Sequence, residues 1–568
     1  MRILLLCHSF NSLSQRLFVL LGELGHELSV EFDVNDGVTL EAVELFQPDL
    51  VVAPFLKRAI PEAVWSRYTC LVVHPGIVGD RGPSALDWAI LNGERRWGVT
   101  VLQANAEMDG GDIWATHEFD MRDASKASLY RNEVTDAAAS AVVEAIEKIQ
   151  SGSFRPTPLD PARARGIKRP LVTQQDRAID WQRDDTAMVL KKIRSADGFP
   201  GLRDEIAGRE VFLYDASPAP GWSGEPGLLL ARSGGAVCRA TVDGAVWIGH
   251  LKDKGSVHPF KLPATQVLAG PAGELPQVST SAEFGCGVIR YEEKDQVGYL
   301  HFPFYNGAMS TRQCESLRRA FLAARGRDTR VIVLMGGPDF WSNGMHLNVI
   351  EAASSAADES WRNINAIDDL AREIIQTTSH LTVSALRGNA GAGGVFLARA
   401  ADRVIARQGV ILNPHYKDMG NLYGSEYWTY LLPRCAGQEQ ADRIARARLP
   451  MGVREGQSRG LVDEWFDQDA RQFERTIVEQ AGALADAPDF AERLQEKARR
   501  RRRDEAEKPL SAYRDEELAR MKLNFYGFDP SYHVARYNFV YKVPKSRTPL
   551  TIARHRRSDS ETALRNVS

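Results

Sequence analysis

Two blocks of alternating apolar runs and amphipathic stretches, held apart by a stretch punctuated with Gly and Pro, constrain this chain more than any other feature. The first block reads RILLLC, LSQRLFVLLGELG, LSVEFDV, LEAVELF, DLVVAP and TCLVVHPG. Short apolar runs next to stretches of helical period are the pattern of parallel strands joined by helices, and such sheets bind ligands at the carboxyl ends of their strands. WGVTVLQAN adds a strand, and SLYRNEVTDAAASAVVEAIEKIQSG a long helix stopped by Gly152. The intervening stretch has one helix-like segment, DDTAMVLKKIRSA, and then short strands (EVFLYDA, PGLLLARSG, AVCRATVDGAVWIGHLK) between turn signals, which reads as a small antiparallel β-barrel or sandwich. In the second block, VGYLHFPF, RVIVLMGG and HLTVSALRG lead into turns and helices, and a charged, mainly helical tail follows. The expectation is an α/β chain: a Rossmann-like domain over 1–170, a barrel over 171–275, a linker over 276–286, a second α/β domain over 287–490 and a helical extension over 491–568.

With 568 residues the chain is long enough for several cores. Its 71 Lys+Arg against 74 Asp+Glu leave no charge excess to attract nucleic acid or an anionic membrane, and no stretch reaches the length of a membrane span. Cys7, Cys70, Cys238, Cys286, Cys314 and Cys435 have neither disulfide-framework nor metal-ligand spacing. A cytoplasmic protein without a structural metal, nucleic-acid partner or membrane partner is expected.

His74 directly follows an apolar strand, and Asp109 falls 35 residues later in a Gly-rich turn after another, which puts both at strand ends on one rim. Spacing alone equally allows plain turn residues. However, HPGIVGDRG followed by VTVLQANAEMDGGDI resembles the folate-dependent formyltransferases, and DRAIDW with KKIRSADGFPG resembles the small barrel of the tRNA-formylating branch. The resemblance implies His74 and Asp109 as catalytic residues, with Arg81 and Gly82 in the cofactor-binding loop. Formyl transfer passes through a tetrahedral oxyanion, which a His can stabilise while an Asp orients it and manages the proton. One position departs: the family's oxyanion-donating Asn is here Val72. Losing such a donor typically costs about 10²–10³ in rate, so either another donor substitutes or the acceptor is a better nucleophile than usual, for which a thiol would qualify.

In the second block, GGPDFWSNGMHLNVIE and SALRGNAGAGGVFLARAADRVIA place two glycine-rich turns at helix starts, a common structural device by itself. Together they resemble the enoyl-CoA hydratase/isomerase (crotonase) family. That implies a CoA thioester site whose oxyanion hole is the N–H groups of Met345 and Gly393, with Gly344 and Gly394 against the cofactor. The first hydratase glutamate is replaced by Phe396, which disfavours hydration. NPHYKDMGNLYGSEYWTY supplies Tyr416 and Glu426 as an acid/base pair, since an apolar pocket raises a Glu pKa toward neutrality. The alternative reading leaves the tyrosines as core aromatics, Glu426 as a helix-start residue and His346 as a packed histidine.

A one-carbon donor site joined to a thioester site points to a relay, and the whole arrangement resembles the HypX (HoxX) family of hydrogenase maturation factors. That resemblance implies synthesis of the carbon monoxide ligand of [NiFe]-hydrogenase: formyl moves from 10-formyltetrahydrofolate to coenzyme A, and formyl-CoA is decarbonylated. It also implies a channel joining the two sites and partners among the maturation proteins that carry the Fe centre. A 10-formyltetrahydrofolate hydrolase with a CoA-sensing C-terminal domain is the rival reading, and a non-catalytic scaffold a third. The run Arg499 to Arg503, interleaved with acids, reads as a solvated helix face.

Overall fold

A computed structural model describes residues 1–162, 164–278 and 288–557. Most of the expected linker, 279–286, therefore lies outside the described residues. The chain divides into two units: Met1–Asp204 with Phe212–Ala216 and Pro544–Ser568, and Glu205–Val211 with Ser217–Val543.

In the first unit, strands β1 (Arg2–Cys7), β2 (Glu27–Phe32), β3 (Leu50–Phe55), β4 (Cys70–His74), β5 (Arg96–Gln103) and β6 (Ile113–Asp120) form one sheet in the order β2-β1-β3-β4-β5-β6. The pairings from β2 to β4 are parallel and those of β5 antiparallel. Ile3 to Cys7 are all buried, as expected of a strand covered on both faces. Asn11 caps the following helix, its side chain accepting from Ser14 N–H at 3.0 Å, and Gly152, at φ 65°, ends the helix Thr135–Ser151. The end of the chain returns here. Glu31, buried in β2, accepts from Arg556 Nε at 2.6 Å and lies 2.9 Å from His555 Nε2, with Thr548 on its other oxygen.

The barrel-like stretch is a sheet of β7 (Leu202–Ile206), β8 (Arg209–Pro218), β9 (Leu229–Ser233), β10 (Ala236–Ala240), β11 (Ala245–Lys252) and β12 (Leu262–Pro263), ordered β7-β8-β11-β10-β9 with β12 beside β11. The β9–β10, β10–β11 and β11–β12 pairings are antiparallel.

The second α/β region contains β13 (Arg290–Lys294), β14 (Val297–His301), β15 (Val331–Gly336), β16 (Phe340–Ser342), β17 (Leu381–Leu386), β18 (Asn389–Gly391), β19 (Arg403–Arg407), β20 (Ile411–Asn413), β21 (Met451–Gly452) and β22 (Glu464–Phe466). Two sheets result, β13-β14-β15-β17-β19-β22 and β16-β18-β20-β21. The short strands of the smaller sheet carry the two glycine-rich turns side by side, which is what builds a site there. The helix Thr311–Arg325 begins with a full capping box between Ser310 and Gln313. The tail forms the helices Phe490–Glu507, Leu510–Tyr526 and Ser531–Val540. Leu510, Met521, Phe525 and Tyr532 join the core, so the aromatic tail packs back on the protein. Of the arginine run, Arg499, Arg500, Arg502 and Arg503 are exposed, while Arg501 reaches Tyr430 Oη at 2.5 Å.

Candidate active sites

His74 ends β4, with its imidazole buried between two carboxylates. Nε2 lies 3.0 Å from Asp80 Oδ1, and Nδ1 lies 3.5 Å from Asp109 Oδ1. Asp109 adopts φ 55°, a left-handed turn conformation, and its Oδ2 accepts from Gly82 N–H at 3.2 Å. His74 and Asp109 thus meet as the strand ends required, and Gly82 braces the pair. Gly76 must lack a side chain, since a Cβ there would sit 2.4 Å from His74 Nε2. The Arg81 guanidinium pairs with Glu107. Val72 packs with the apolar cluster of Leu6, Ala53 and Cys70 and offers no donor.

Sequence reasoning missed Asp80 as a partner of His74. Aspartate in a Gly-Asp-Arg-Gly loop reads as a turn former, and only the folded loop turns it inward. It also missed the segment 164–170. Arg169 N–H donates to Arg81 O at 3.0 Å and Gly166 N–H to Val78 O at 3.0 Å, which lays this stretch along the His74 loop. Arg169 Nε stands 4.0 Å from Asp80 Oδ2.

In the second unit, Gly344 and Gly393–Gly394 approach closely. A Cβ on Gly344, at φ 73°, would lie 3.5 Å from Gly393 N and 3.9 Å from Gly394 N. Gly394 abuts the Ser342 carbonyl, where a Cβ would fall 2.1 Å away. Ala392, at φ 47° and ψ −129°, turns the chain sharply into the helix Gly393–Arg399, so Gly393 presents an N–H that a first helical turn cannot satisfy. Among the described residues, neither Met345 N–H nor Gly393 N–H donates a hydrogen bond within the protein. Two unsatisfied amides on neighbouring turns are suited to hold one carbonyl oxygen.

The Glu426 carboxyl lies directly over this place: a Cβ on Gly393 would be 2.0 Å from its Oε1. Tyr416 Oη is 2.6 Å from Glu426 Oε2 and 2.9 Å from the Ser425 carbonyl. Phe396 stacks on Tyr416 with ring centroids 5.5 Å apart, so the residue in the place of the hydratase acid forms the apolar wall of the pair. Burial pushes the Glu426 pKa up from 4.5 to about 8; the charge of Asp368 adds to this and the Tyr416 hydrogen bond opposes it. Tyr416 is raised well above 10 by burial and by the neighbouring Glu426.

Not every aromatic in this segment faces the site. Tyr427 is buried, with its hydroxyl unpartnered among the described residues. His346 is a packed histidine: its Nδ1 accepts from Val349 N–H at 3.3 Å, its ring lies 6.3 Å from that of His250, and burial drops its pKa to about 3. Sequence reasoning also missed Asp368 and Glu517, whose side chains surround the Ser425–Tyr427 turn from two distant helices. Among the described residues no cluster of three or more His, Cys, Asp or Glu is arranged for a metal ion, and no helix is long and apolar enough to cross a membrane.

Residues 33–146 match the formyl transferase family, 171–261 the formyl transferase C-terminal domain, and 292–521 the enoyl-CoA hydratase/isomerase family. Methionyl-tRNA formyltransferase of Thermotoga neapolitana is 27% identical over 41% of this chain and 72% of its own length. Fold and sites therefore define an enzyme that joins a formyltransferase module to a crotonase module. Hydrogenase maturation factor HoxX of Bradyrhizobium diazoefficiens is 60% identical over 98% of this chain and 97% of its own. The crystal structure of HypX from Aquifex aeolicus in complex with tetrahydrofolic acid superposes with a TM-score of 0.95 at 48% identity, covering 98% of this chain and 99% of that one. The chain belongs to the HypX/HoxX family of hydrogenase maturation factors.

Proposed function

We propose that the protein makes carbon monoxide for the iron of [NiFe]-hydrogenase in two steps, and that 10-formyltetrahydrofolate and coenzyme A are its substrates. The formyl donor enters the site of His74 and Asp109, within residues 1–170, with the barrel of 171–275 as its accessory domain. The acceptor is the CoA thiol, and the thioester formed is the substrate of the domain over 287–490, which the helical extension 491–568 follows in the chain.

At the first site the CoA thiol gives up its proton and adds to the formyl carbon, which becomes tetrahedral; the carbonyl re-forms as the C–N bond breaks, and the folate nitrogen leaves with that proton, passed on by Asp109. The His74 imidazole stabilises the oxyanion, Asp109 orients the ring, and Gly82 N–H fixes Asp109. Arg81 and Gly82 shape the loop over the folate.

At the second site the thioester oxygen is held by Met345 N–H and Gly393 N–H, with Gly344 and Gly394 leaving room for the substrate. A formyl thioester has no α-carbon, so no enolate forms. Ionised Glu426 removes the formyl proton, the C–H electron pair becomes the lone pair of carbon monoxide, the C–S bond breaks, and Tyr416 gives its proton to sulfur. Glu426 then returns its proton to Tyr416 across their 2.6 Å contact. Hydrogenase maturation proteins carrying the Fe centre are the proposed recipients of the gas.

The observation that carries this reading is the buried Tyr416–Glu426 pair set over the free Gly393 amide. The test supplies purified protein with 10-formyltetrahydrofolate and CoA and traps released gas with haemoglobin. Glu426→Gln is expected to abolish carbon monoxide while folate turnover continues, and His74→Ala to abolish both. Undiminished carbon monoxide from Glu426→Gln refutes the assignment; formate without carbon monoxide from the wild type supports the hydrolase reading instead.

A further inference from the structure

The turn that carries Glu426 is strained and over-determined. Glu426 and Tyr427 both have φ 60°, consecutive left-handed conformations that are strained for non-glycine residues. Two acidic side chains from helices remote in sequence hold it. Asp368, on the helix Ala356–Gln376, accepts from Glu426 N–H through Oδ1 at 2.8 Å, and its Oδ2 lies 2.8 Å from Ser425 Oγ. Glu517, on the helix Leu510–Tyr526, accepts from Tyr427 N–H at 3.0 Å and Thr429 N–H at 2.8 Å, and its Oε2 lies 3.1 Å from Ser425 Oγ. Glu517 thereby caps the helix Trp428–Ala436, which has no capping side chain of its own. Asp368 and Glu517 are both fully buried.

Counting hydrogens shows that these groups share protons. Ser425 has one hydroxyl hydrogen but faces a carboxylate oxygen of Asp368 and one of Glu517. Both contacts are hydrogen bonds only when one of the two acids is protonated. Tyr416 likewise has one hydrogen and faces the Ser425 carbonyl, which only accepts, and Glu426. The second contact is satisfied when Glu426 carries a proton. The other ionisable groups around the turn are Arg514, with Nε 3.8 Å from Asp368 Oδ2 and its Nη1 on Asp369, together with Tyr427, Arg372 and the buried thiol of Cys314. Two cations, Arg514 and Arg372, serve three buried carboxyl groups, and both also pair with Asp369.

We propose that Asp368 and Glu517, linked through Ser425, are positioning residues for the second site: they clamp Glu426 over the Gly393 amide and make its charge state depend on theirs. The inference rests on the proposed role of Glu426. Like charge disfavours ionisation, so neutralising either acid eases proton loss from Glu426. Asp368→Asn keeps an acceptor for Glu426 N–H, removes the charge, and sets an amide donor opposite Ser425 Oγ, whose hydrogen then turns to Glu517.

The experiment is the pH profile of carbon monoxide release by the full-length wild type, Asp368→Asn, Glu517→Gln, Ser425→Ala and Glu426→Gln, with folate turnover followed in the same samples. In Asp368→Asn the limb of the profile that Glu426 governs is expected to move acidward by about one pH unit, whether Glu426 serves as base or as acid. Glu517→Gln is expected to move it in the same direction. Ser425→Ala, which cuts the link, is expected to make the shifts of Asp368→Asn and Glu517→Gln additive when combined with both. A lower plateau with an unmoved limb in both charge variants would mean that the acids only hold the fold, and overturns the proposal. Should Glu426→Gln keep its carbon monoxide output, the reading of the site itself fails, an outcome distinct from an unmoved limb beside an inactive Glu426→Gln.

Discussion

Substituting Gly393 by Ala tests the second site at its tightest point. The added Cβ would fall 2.0 Å from Glu426 Oε1 and 2.3 Å from its carboxyl carbon, whereas ordinary contact begins near 3.4 Å. The carboxyl must retreat by about 1.4 Å, the difference between 3.4 and 2.0 Å. It has little room to do so, because Tyr416 and the Ser425 N–H hold Oε2 and the residue is 1% exposed. A displacement of about 1 Å at a reacting group costs about 10²-fold in rate, and overpacking a core costs about 1–3 kcal/mol. Carbon monoxide release, read by the haemoglobin trap, is therefore expected to fall about 10²-fold, with folate turnover unchanged and a lower Tm. The control is Gly482→Ala, in the helix Ala470–Ala485, where an added methyl meets nothing within 4 Å. It should leave both activities intact and raise stability slightly. Wild-type carbon monoxide output from Gly393→Ala, with the protein folded, would show that the placement of Glu426 does not matter.

Three further outcomes follow from the same geometry. With Glu426 as base and a pKa of about 8, its ionised fraction grows about tenfold from pH 6 to 7 and levels off above 8, so carbon monoxide release at saturating substrate should rise in that proportion; a rate that is flat or falls from pH 6 to 8 refutes ionised Glu426 as the base. Asp80→Asn should lower folate turnover without touching carbon monoxide release from formyl-CoA supplied directly, because Asp80 contacts only the His74 ring among these groups; equal loss of both activities refutes the separation. Burial works against the charge of Glu31, but His555, Thr548 and Arg556 outweigh it and hold its carboxyl below the usual range. Its stabilisation is thus full above about pH 4.5 and is lost as the pH falls through the lower folded value. Glu31→Gln should accordingly lower Tm at pH 7 by more than at pH 3, and a gap that stays constant with pH contradicts the ion-pair account.

Local chemistry was written plainly in the chain. The apolar runs of β1, β3 and β4, the Gly152 stop, the strand-end His74 and the two glycine-rich turns are each set by a few neighbouring residues, because strand burial, capping and positive φ are short-range demands. The departures were legible as well: Val72 where a donor was expected and Phe396 where an acid was expected each constrain the reaction without any coordinates. Tertiary structure decided what crosses the chain. Asp80 faces His74 because its loop folds inward under residues 164–170. Glu31 finds Arg556 more than 500 residues away. Asp368 and Glu517 reach Glu426 from helices 58 and 91 residues distant. A lone Asp or Glu in an amphipathic helix looks like any solvated residue, since its sequence neighbours do not reveal that the facing helix removes water from it. The pKa of a carboxyl depends on that desolvation and on charges brought near in space, and both exist only once the chain has folded.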